Sequence, residues 1–446
     1  MTAERAVSVV VASAAYGGTL ATVRDLGARG YRVSVLSSPR LPGQWSPRVS
    51  AAAWSRHTTQ SYRAPPERNH ERFLEQLLRI GQRDPGQVLL ATSDETAWLY
   101  TVHAATLGQY FRLLAQPLAT MQKILDKGQF ASAALAAGVA VVPSWEVRSA
   151  AELAAKAHQF SFPLLIKPRT HVSRIRNDKG VLVNSAAELL VEYPRFLERE
   201  LGAADNNPLL PDAAVPILQK FVRIASEGVC SVTGYIDRSG ELFVTRRATK
   251  VLQRSMPAGV GICFEALPPD EALSAAVRRL CRELGYFGIF EVEFLYLDGD
   301  WAVIDFNPRT FNQIGLDIRR GMPLPYFACL EATGDREALR TAIRRAAQPL
   351  ADEVGTVFCD RFTLHALLYA RALTGRASRE EVGRWRSWLR RHEGRCVDVA
   401  TLQGDPLPKI VHLASEVLVG LRGFRRFLRL TPRTERATVH RVRKNA

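Results

Sequence analysis

Residues 290–309 read FEVEFLYLDGDWAVIDFNPR, two alternating runs on either side of Asp298-Gly299-Asp300, and a chain carrying this segment is constrained to build an antiparallel hairpin with one oily and one acidic face. Side chains alternate across a strand, so Glu291 and Glu293 share one face while Val292 and Phe294 take the other; Asp305 and Asn307 repeat the pattern in the second run. Asp-Gly is a strong short-range hairpin signal, and folding the runs back on each other brings Glu293 near Asp305 and Asn307. Carboxylates gathered without a balancing cation repel one another. A hard divalent ion such as Mg²⁺, held by a few carboxylates together with nucleotide phosphates, removes that cost and gives the cluster a use. The competing reading is a solvated amphipathic hairpin whose polar face meets water.

Bulk properties narrow the alternatives. With 446 residues and 47% hydrophobic content, the chain has enough apolar surface for several cores. Cysteines at 230, 263, 281, 329, 359 and 396 form no Cys-x-x-Cys pair, so neither a zinc site nor a disulfide framework is indicated, and a reducing cytoplasm fits. No apolar run reaches transmembrane length, and residues 7–15 are better explained as a buried first strand than as a signal peptide. The net charge of +16 invites a nucleic-acid partner, but residues 420–446 carry nine Lys or Arg against Glu435 alone, so half of the excess belongs to the tail. There, Ile410, Leu413, Val417, Leu421, Phe424 and Leu428 recur at helical spacing, with Arg422, Arg425, Arg426 and Arg429 on another face. Two readings stand for this basic amphipathic segment: peripheral contact with an anionic membrane, or packing against the body of the protein. A nucleic-acid interface is disfavoured, because only Phe424 and Phe427 interleave the arginines.

Along the chain, residues 7–12, a Gly17-Gly18 turn, a helical stretch at 19–29 and a run at 32–36 form a βαβ start, and 88–91 followed by Ser93-Asp94-Glu95 looks like a later strand ending at a helix cap. Residues 1–115 are expected to form one small α/β domain with a parallel sheet. A helical stretch at 115–143 holds Asp126 and Lys127, short strands follow at 163–167, 181–184 and 217–222, and 228–235 with 241–245 flank a turn. Helical spacing at 273–284 leads into the acidic hairpin. Beyond about 335 the chain reads as helical and Arg-rich. Gly17-Gly18 lacks the full Gly-x-Gly-x-x-Gly pattern and reads as a packing turn rather than a dinucleotide loop.

The order Asp126-Lys127, Ile166-Lys167-Pro168, Leu218-Gln219-Lys220-Phe221, Glu293 and Asp305-Phe306-Asn307-Pro308-Arg309 resembles the ATP-grasp superfamily over roughly residues 116–333. The resemblance implies a Rossmann-like pre-ATP-grasp domain at 1–115, a two-lobed α+β ATP-grasp domain at 116–333 and a helical C-terminal extension with a basic tail at 334–446. It implies that Lys127 and Lys167 contact the triphosphate of ATP, that Gln219, Lys220, Phe221 and Val222 meet adenine, and that Glu227 falls near the ribose. Glu293, Asp305 and Asn307 match the Mg²⁺ ligands, with Mn²⁺ as a substitute ion. Arg309 matches the arginine at the reacting centre, where a planar, permanently charged group suits a developing oxyanion. Arg247 and Lys250 are read either as further anion contacts or as surface charges.

Two departures stand out. The loop after Lys167 has a single glycine, Gly180, and supplies His171, Arg174, Arg176 and Lys179 instead, which argues against a biotin-carboxylase-like enzyme and leaves open whether 169–179 binds ATP or an acidic substrate. Asp305 replaces the more usual glutamate and shortens one arm by a methylene. The expected function is an ATP- and Mg²⁺-dependent ligase joining a small-molecule carboxylate to an amine or similar nucleophile through an acyl phosphate. The alternatives are an ATP-binding regulatory or scaffold protein without ligation, and a carboxyphosphate-forming enzyme like carbamoyl phosphate synthetase. The sequence fixes neither the substrates nor an oligomeric state.

Overall fold

Alternating and continuous apolar runs become strands wherever one or both faces find cover, and among the described residues they assemble into three sheets. The computed structural model describes residues 7–12, 17–37, 50–174, 180–205, 207–222, 228–253, 261–348, 354–373, 375, 377–415 and 417–418. The first sheet contains β1 (Ser8–Val11), β2 (Arg32–Ser37), β3 (Thr58–Arg63), β4 (Gln87–Leu90) and β5 (Phe111–Leu113), all parallel, in the order β3-β2-β1-β4-β5. Parallel neighbours need crossovers, supplied by helices such as Gly17–Ala28, His70–Arg83 and Asp94–Val102. Val9, Val10 and Val11 are fully buried, as expected of a central strand covered on both faces. Ser93 caps the helix Asp94–Val102 in a box with Thr96, so Asp94 and Glu95 sit in its first turn at the carboxyl end of β4.

Gly17 and Gly18 open the first helix, and their role is packing. A Cβ on Gly18 would lie 2.1 Å from the Phe311 carbonyl oxygen, and one on Gly17 would lie 2.7 Å from Asn312 Oδ1. The chain just beyond the acidic hairpin therefore rests directly on this helix. Residues 115–143 do not form one continuous helix. Leu118–Leu125 ends at Asp126, whose carboxylate accepts from the Gly128 and Gln129 amides and starts the helix Lys127–Ala136.

The second sheet is antiparallel, in the order β6-β9-β7-β8: β6 (Ser144–Glu146), β7 (Leu164–Lys167), β8 (Val181–Val183) and β9 (Ile217–Lys220). Leu164, Ile166, Val183 and Leu218 pack with Leu189, Tyr193 and Phe196 of the helix Ala186–Asp205.

The third sheet runs β14-β13-β10-β11-β12-β15-β16 and comprises β10 (Val229–Ile236), β11 (Phe243–Gln253), β12 (Gly261–Leu267), β13 (Gly288–Leu297), β14 (Asp300–Asn307), β15 (Val357–Cys359) and β16 (Cys396–Asp398). Leu273, Val277, Leu280 and Leu284 of the helix Glu271–Leu284 cover one face, against Val292, Phe294, Val303 and Phe306. The region beyond 334 departs from the helical expectation: besides the helices Arg336–Ala346, Arg361–Leu373 and Arg379–Arg391 it contributes β15 and β16, which extend the sheet edge. Each is three residues long, too short to show a period; β15 is recruited by the exposed edge of β12, and β16 by β15 in turn.

In the hairpin, Asp298 (φ 50°) and Gly299 (φ 96°) both adopt the left-handed backbone of a two-residue primed turn. Pairing runs regularly from Leu297 opposite Asp300 to Phe294 opposite Val303, and then shifts so that Glu293 faces Asp305 and Glu291 faces Asn307. Ile304 is the extra residue of a β-bulge. A regular ladder from this turn would set Glu293 against Ile304 and aim Asp305 into the core beside Val292. Sequence spacing and turn type alone therefore put Asp305 on the wrong face, and the bulge restores it.

Candidate active site

The polar face of β13 and β14 is met by cations from two directions. Lys127, at the start of the helix that Asp126 caps, donates its amide to the Arg169 carbonyl (3.0 Å) and its ammonium to Asp305 Oδ1 (2.7 Å). One residue thus ties the loop after β7 to the acidic hairpin. Lys250 of β11 donates to Glu293 Oε1, with both side chains largely buried. Burial alone would lower the Lys250 pKa, but the Glu293 carboxylate and its hydrogen bond outweigh that and hold it above the usual lysine value.

Glu291 lies deeper. Its Oε2 accepts from Asn307 Nδ2 (3.0 Å) and its Oε1 from Gln313 Nε2. Burial, followed by the charge of Glu293, pushes its carboxyl up to about 7. Arg309 Nη2 donates to Asn307 Oδ1 (2.9 Å), so the Asn307 amide is oriented from both sides: its nitrogen toward Glu291 and its oxygen toward the guanidinium. Arg309 Nε in turn donates to Asp94 Oδ1 (2.8 Å), which links Arg309 to the carboxyl end of the first sheet. Nearby, Ser93 Oγ donates to Glu67 Oε2 (2.5 Å), and burial pushes the Glu67 carboxyl up to about 7. A narrow cavity lies between Tyr100, Gln116, Tyr286 and Arg309.

Among the residues expected from sequence, Lys127, Glu293, Asp305, Asn307 and Arg309 come together. Lys167 lies in the second sheet and donates to Gln219 Oε1 (3.2 Å), while Lys127 and Lys250 pair with the hairpin acids. The Lys220 and Phe221 amides are given to the Pro143 (2.8 Å) and Pro163 (3.0 Å) carbonyls, which leaves their carbonyls and Val222 for any adenine contact. Arg247 pairs with Asp270 (2.8 Å). Arg174 makes a buried pair with Glu200 (2.7 Å). Glu227, Arg176 and Lys179 lie outside the described residues. Among the described residues no group of three His, Cys, Asp or Glu side chains is placed to hold a metal ion; the opposed pair here is two carboxylates, with the Asn307 amide beside it.

Sequence reasoning missed Glu291 as an orienting group, along with Asp94, Gln313 and Arg169. Arg169 is a buried side chain that donates to Asp126 Oδ2 (2.8 Å) and Glu146 Oε1 (2.8 Å). Glu291 shares the face of Glu293 and was visible in the alternation. The others are brought in by tertiary contacts that leave no local pattern.

No family model matches the chain. A carbamoyl phosphate synthase large chain from Beutenbergia cavernae is 24% identical over 217 residues, which is 47% of this chain and 18% of that one. The L-amino acid ligase of Bacillus licheniformis superposes with a TM-score of 0.55 at 13% identity, covering 78% of each chain. A biotin carboxylase from Campylobacter jejuni superposes with a TM-score of 0.54 at 14% identity, covering 78% of this chain and 74% of that one. This chain has the ATP-grasp fold. Within the ATP-grasp framework, the acidic hairpin forms the edge of the large sheet, and Lys127 bridges it to the loop that follows the small one. At these identities the likeness is one of architecture, and the chain spans under a fifth of the carbamoyl phosphate synthase relative, 18% of its length.

Proposed function

We propose that this protein is an ATP- and Mg²⁺-dependent ligase that joins a carboxylate to an amine or similar nucleophile through an acyl phosphate. The observation that carries the proposal is the opposed pair Glu293 and Asp305, each held by its own lysine, with Asn307 and Arg309 fixed beside it. The donor set suits Mg²⁺: two carboxylates and an amide oxygen are hard oxygen ligands, too few to saturate an octahedral ion, which leaves positions for phosphate oxygens and water. When bound, the ion neutralises charge that builds on the transferring phosphoryl group.

The chain's own residues do the rest. Lys127 and Lys250 compensate the acids and stand ready to exchange carboxylate for phosphate oxygens as a triphosphate enters. Asn307 offers a directed oxygen, because Glu291 and Arg309 fix its amide. Arg309, anchored by Asp94, presents its guanidinium where negative charge develops when the nucleophile attacks. Lys167, with Gln219, Lys220, Phe221 and Val222, lines the nucleotide side in the small sheet. In this reading residues 1–115 are the pre-ATP-grasp unit, 116–333 the ATP-grasp unit, and 334–446 an extension whose two strands complete the large sheet.

The test is release of ADP and phosphate with Mg²⁺ across pooled carboxylates and amines, with Glu293→Gln as control. Turnover that needs both substrate classes and disappears in the variant supports the proposal. ATP binding without turnover across a wide panel would replace it with the regulatory reading.

A further inference from the structure

We propose that Cys263, Cys359 and Cys396 form a peroxide-oxidisable relay that ends in a disulfide between Cys263 and Cys359, fastening the C-terminal extension to the large sheet. The three belong to neighbouring strands, β12, β15 and β16, and Cys263 and Cys359 face each other in register. Hydrogen bonds from the Asp360 amide to the Ile262 carbonyl (2.9 Å) and from the Ala266 amide to the Thr356 carbonyl (3.0 Å) set them at a non-hydrogen-bonded position of the ladder. At such positions Cα atoms approach to about 4.5 Å and side chains lie closest. A disulfide spans that separation, and the two sulfurs are already 3.4 Å apart. Cys396 hydrogen-bonds Cys359 from the other side. Its register partner is Val357, so it meets Cys359 along the longer diagonal. Cys230, Cys281 and Cys329 are buried and share no sulfur contact among the described residues.

Access sets the order of events. Cys263 and Cys359 are fully buried, whereas Cys396 is half-buried with the Arg361 guanidinium acting on it. A hydroperoxide therefore meets Cys396 first: the sulfur attacks the O–O bond, a sulfenic acid forms, and water leaves. The Cys359 sulfur then attacks Cys396, the S–O bond breaks, and hydroxide departs as water with the Cys359 proton. Cys263 attacks Cys359 in turn, which releases Cys396 as a thiol carrying the Cys263 proton and leaves the bond at the directly opposed pair. Two thiols lose two electrons, and hydrogen peroxide becomes two waters. The hydrogen bond to Cys359, and then burial, hold the Cys396 thiol well above its ordinary value, so the relay is slow and answers sustained rather than brief exposure.

Full-length protein is treated with hydrogen peroxide, alkylated under denaturing conditions and digested with trypsin, which puts each of the three cysteines in its own peptide. A linked pair of the Cys263 and Cys359 peptides is expected to accumulate, preceded by a link of Cys359 to Cys396, and dithiothreitol should reverse both. Thermal unfolding of the oxidised protein should move upward by a few degrees, because the bond closes the long loop from β12 to β15. Cys396→Ala should slow the final link about tenfold or more, since the buried pair loses its point of entry. Cys329→Ala lies outside the relay and should match the wild type. Peroxide treatment that leaves the three unlinked overturns the proposal, and the wild-type peptide map decides this without any variant. So does a link that forms between molecules, an unfolding midpoint that does not rise, or a rate in Cys396→Ala no slower than in Cys329→Ala.

Discussion

Replacing Glu291 by glutamine isolates one buried ionisation at the centre of the site. The folded chain holds this carboxyl at about 7 against an ordinary 4.5, chiefly because it is buried and then because Glu293 is negative. That difference corresponds to ~3 kcal/mol between the protonation states. The sign follows from proton binding: between these values the folded state holds a proton that the unfolded state has released, so stability is greatest below 4.5 and falls as pH rises through 7. Glutamine is neutral throughout and removes this slope. It keeps one carbonyl oxygen for the Asn307 or Gln313 amide and costs ~1 kcal/mol at low pH for the acceptor it loses. The stability difference between wild type and Glu291→Gln should therefore shift by ~3 kcal/mol in favour of the variant between about pH 4.5 and 8, read from urea unfolding followed by tryptophan fluorescence. A difference that stays flat across that range would refute the placement of Glu291 as a raised, buried carboxyl. Comparing variant with wild type cancels the Glu67 contribution, which has the same sign.

Four other outcomes are expected. Lys250→Met leaves Glu293 buried without its partner and should cost ~3–5 kcal/mol, whereas Lys250→Met/Glu293→Gln recovers most of that stability without recovering ADP release. Arg309→Lys keeps the charge but loses the fork that spans Asp94 and Asn307, so ADP release should fall ~10–100-fold while urea midpoints barely move. Arg169→Met removes one partner from Asp126, which keeps the Gly128 and Gln129 amides, and one from the partly exposed Glu146, and should destabilise by ~1–2 kcal/mol, seen as earlier melting. Gly18→Ala drives a methyl into the Phe311 carbonyl and should lower the melting temperature by several degrees through ~2 kcal/mol or more; an unchanged melting curve would mean that this contact is not formed.

Much of the scaffold was legible because its signals are local. The fully buried Val9–Val11 run, the Ser93 cap and the Asp-Gly turn each carry their own chemistry, and all occur where periodicity put them. The short edge strands β15 and β16 were not legible, since three residues show no period and only the edge each one joins, β12 for β15 and β15 for β16, makes it a strand. At the site, the alternation around Glu293 marked the acidic face but could not say which lysine answers it. Lys250 sits in a different strand and Lys127 comes from a helix terminus, so the neutralising charges are tertiary facts. Glu291, Gln313 and Asp94 act by orienting Asn307 and Arg309, a relation that no spacing in one dimension encodes.

The bulge at Ile304 separates two kinds of change in the hairpin. Its tip at Asp298-Gly299 is exposed, backed by the Tyr296 and Trp301 rings 5.1 Å apart, and extra residues there lengthen a loop without altering which side chains meet below it. Between the rings and the acids the situation reverses, because adding one residue exchanges an acidic side chain of the polar face for a piece of core. A reporter peptide grafted at the tip should leave the site in phase, whereas drift in length among related hairpins should be confined to the loop or should arise by gain or loss of the unpaired isoleucine position itself.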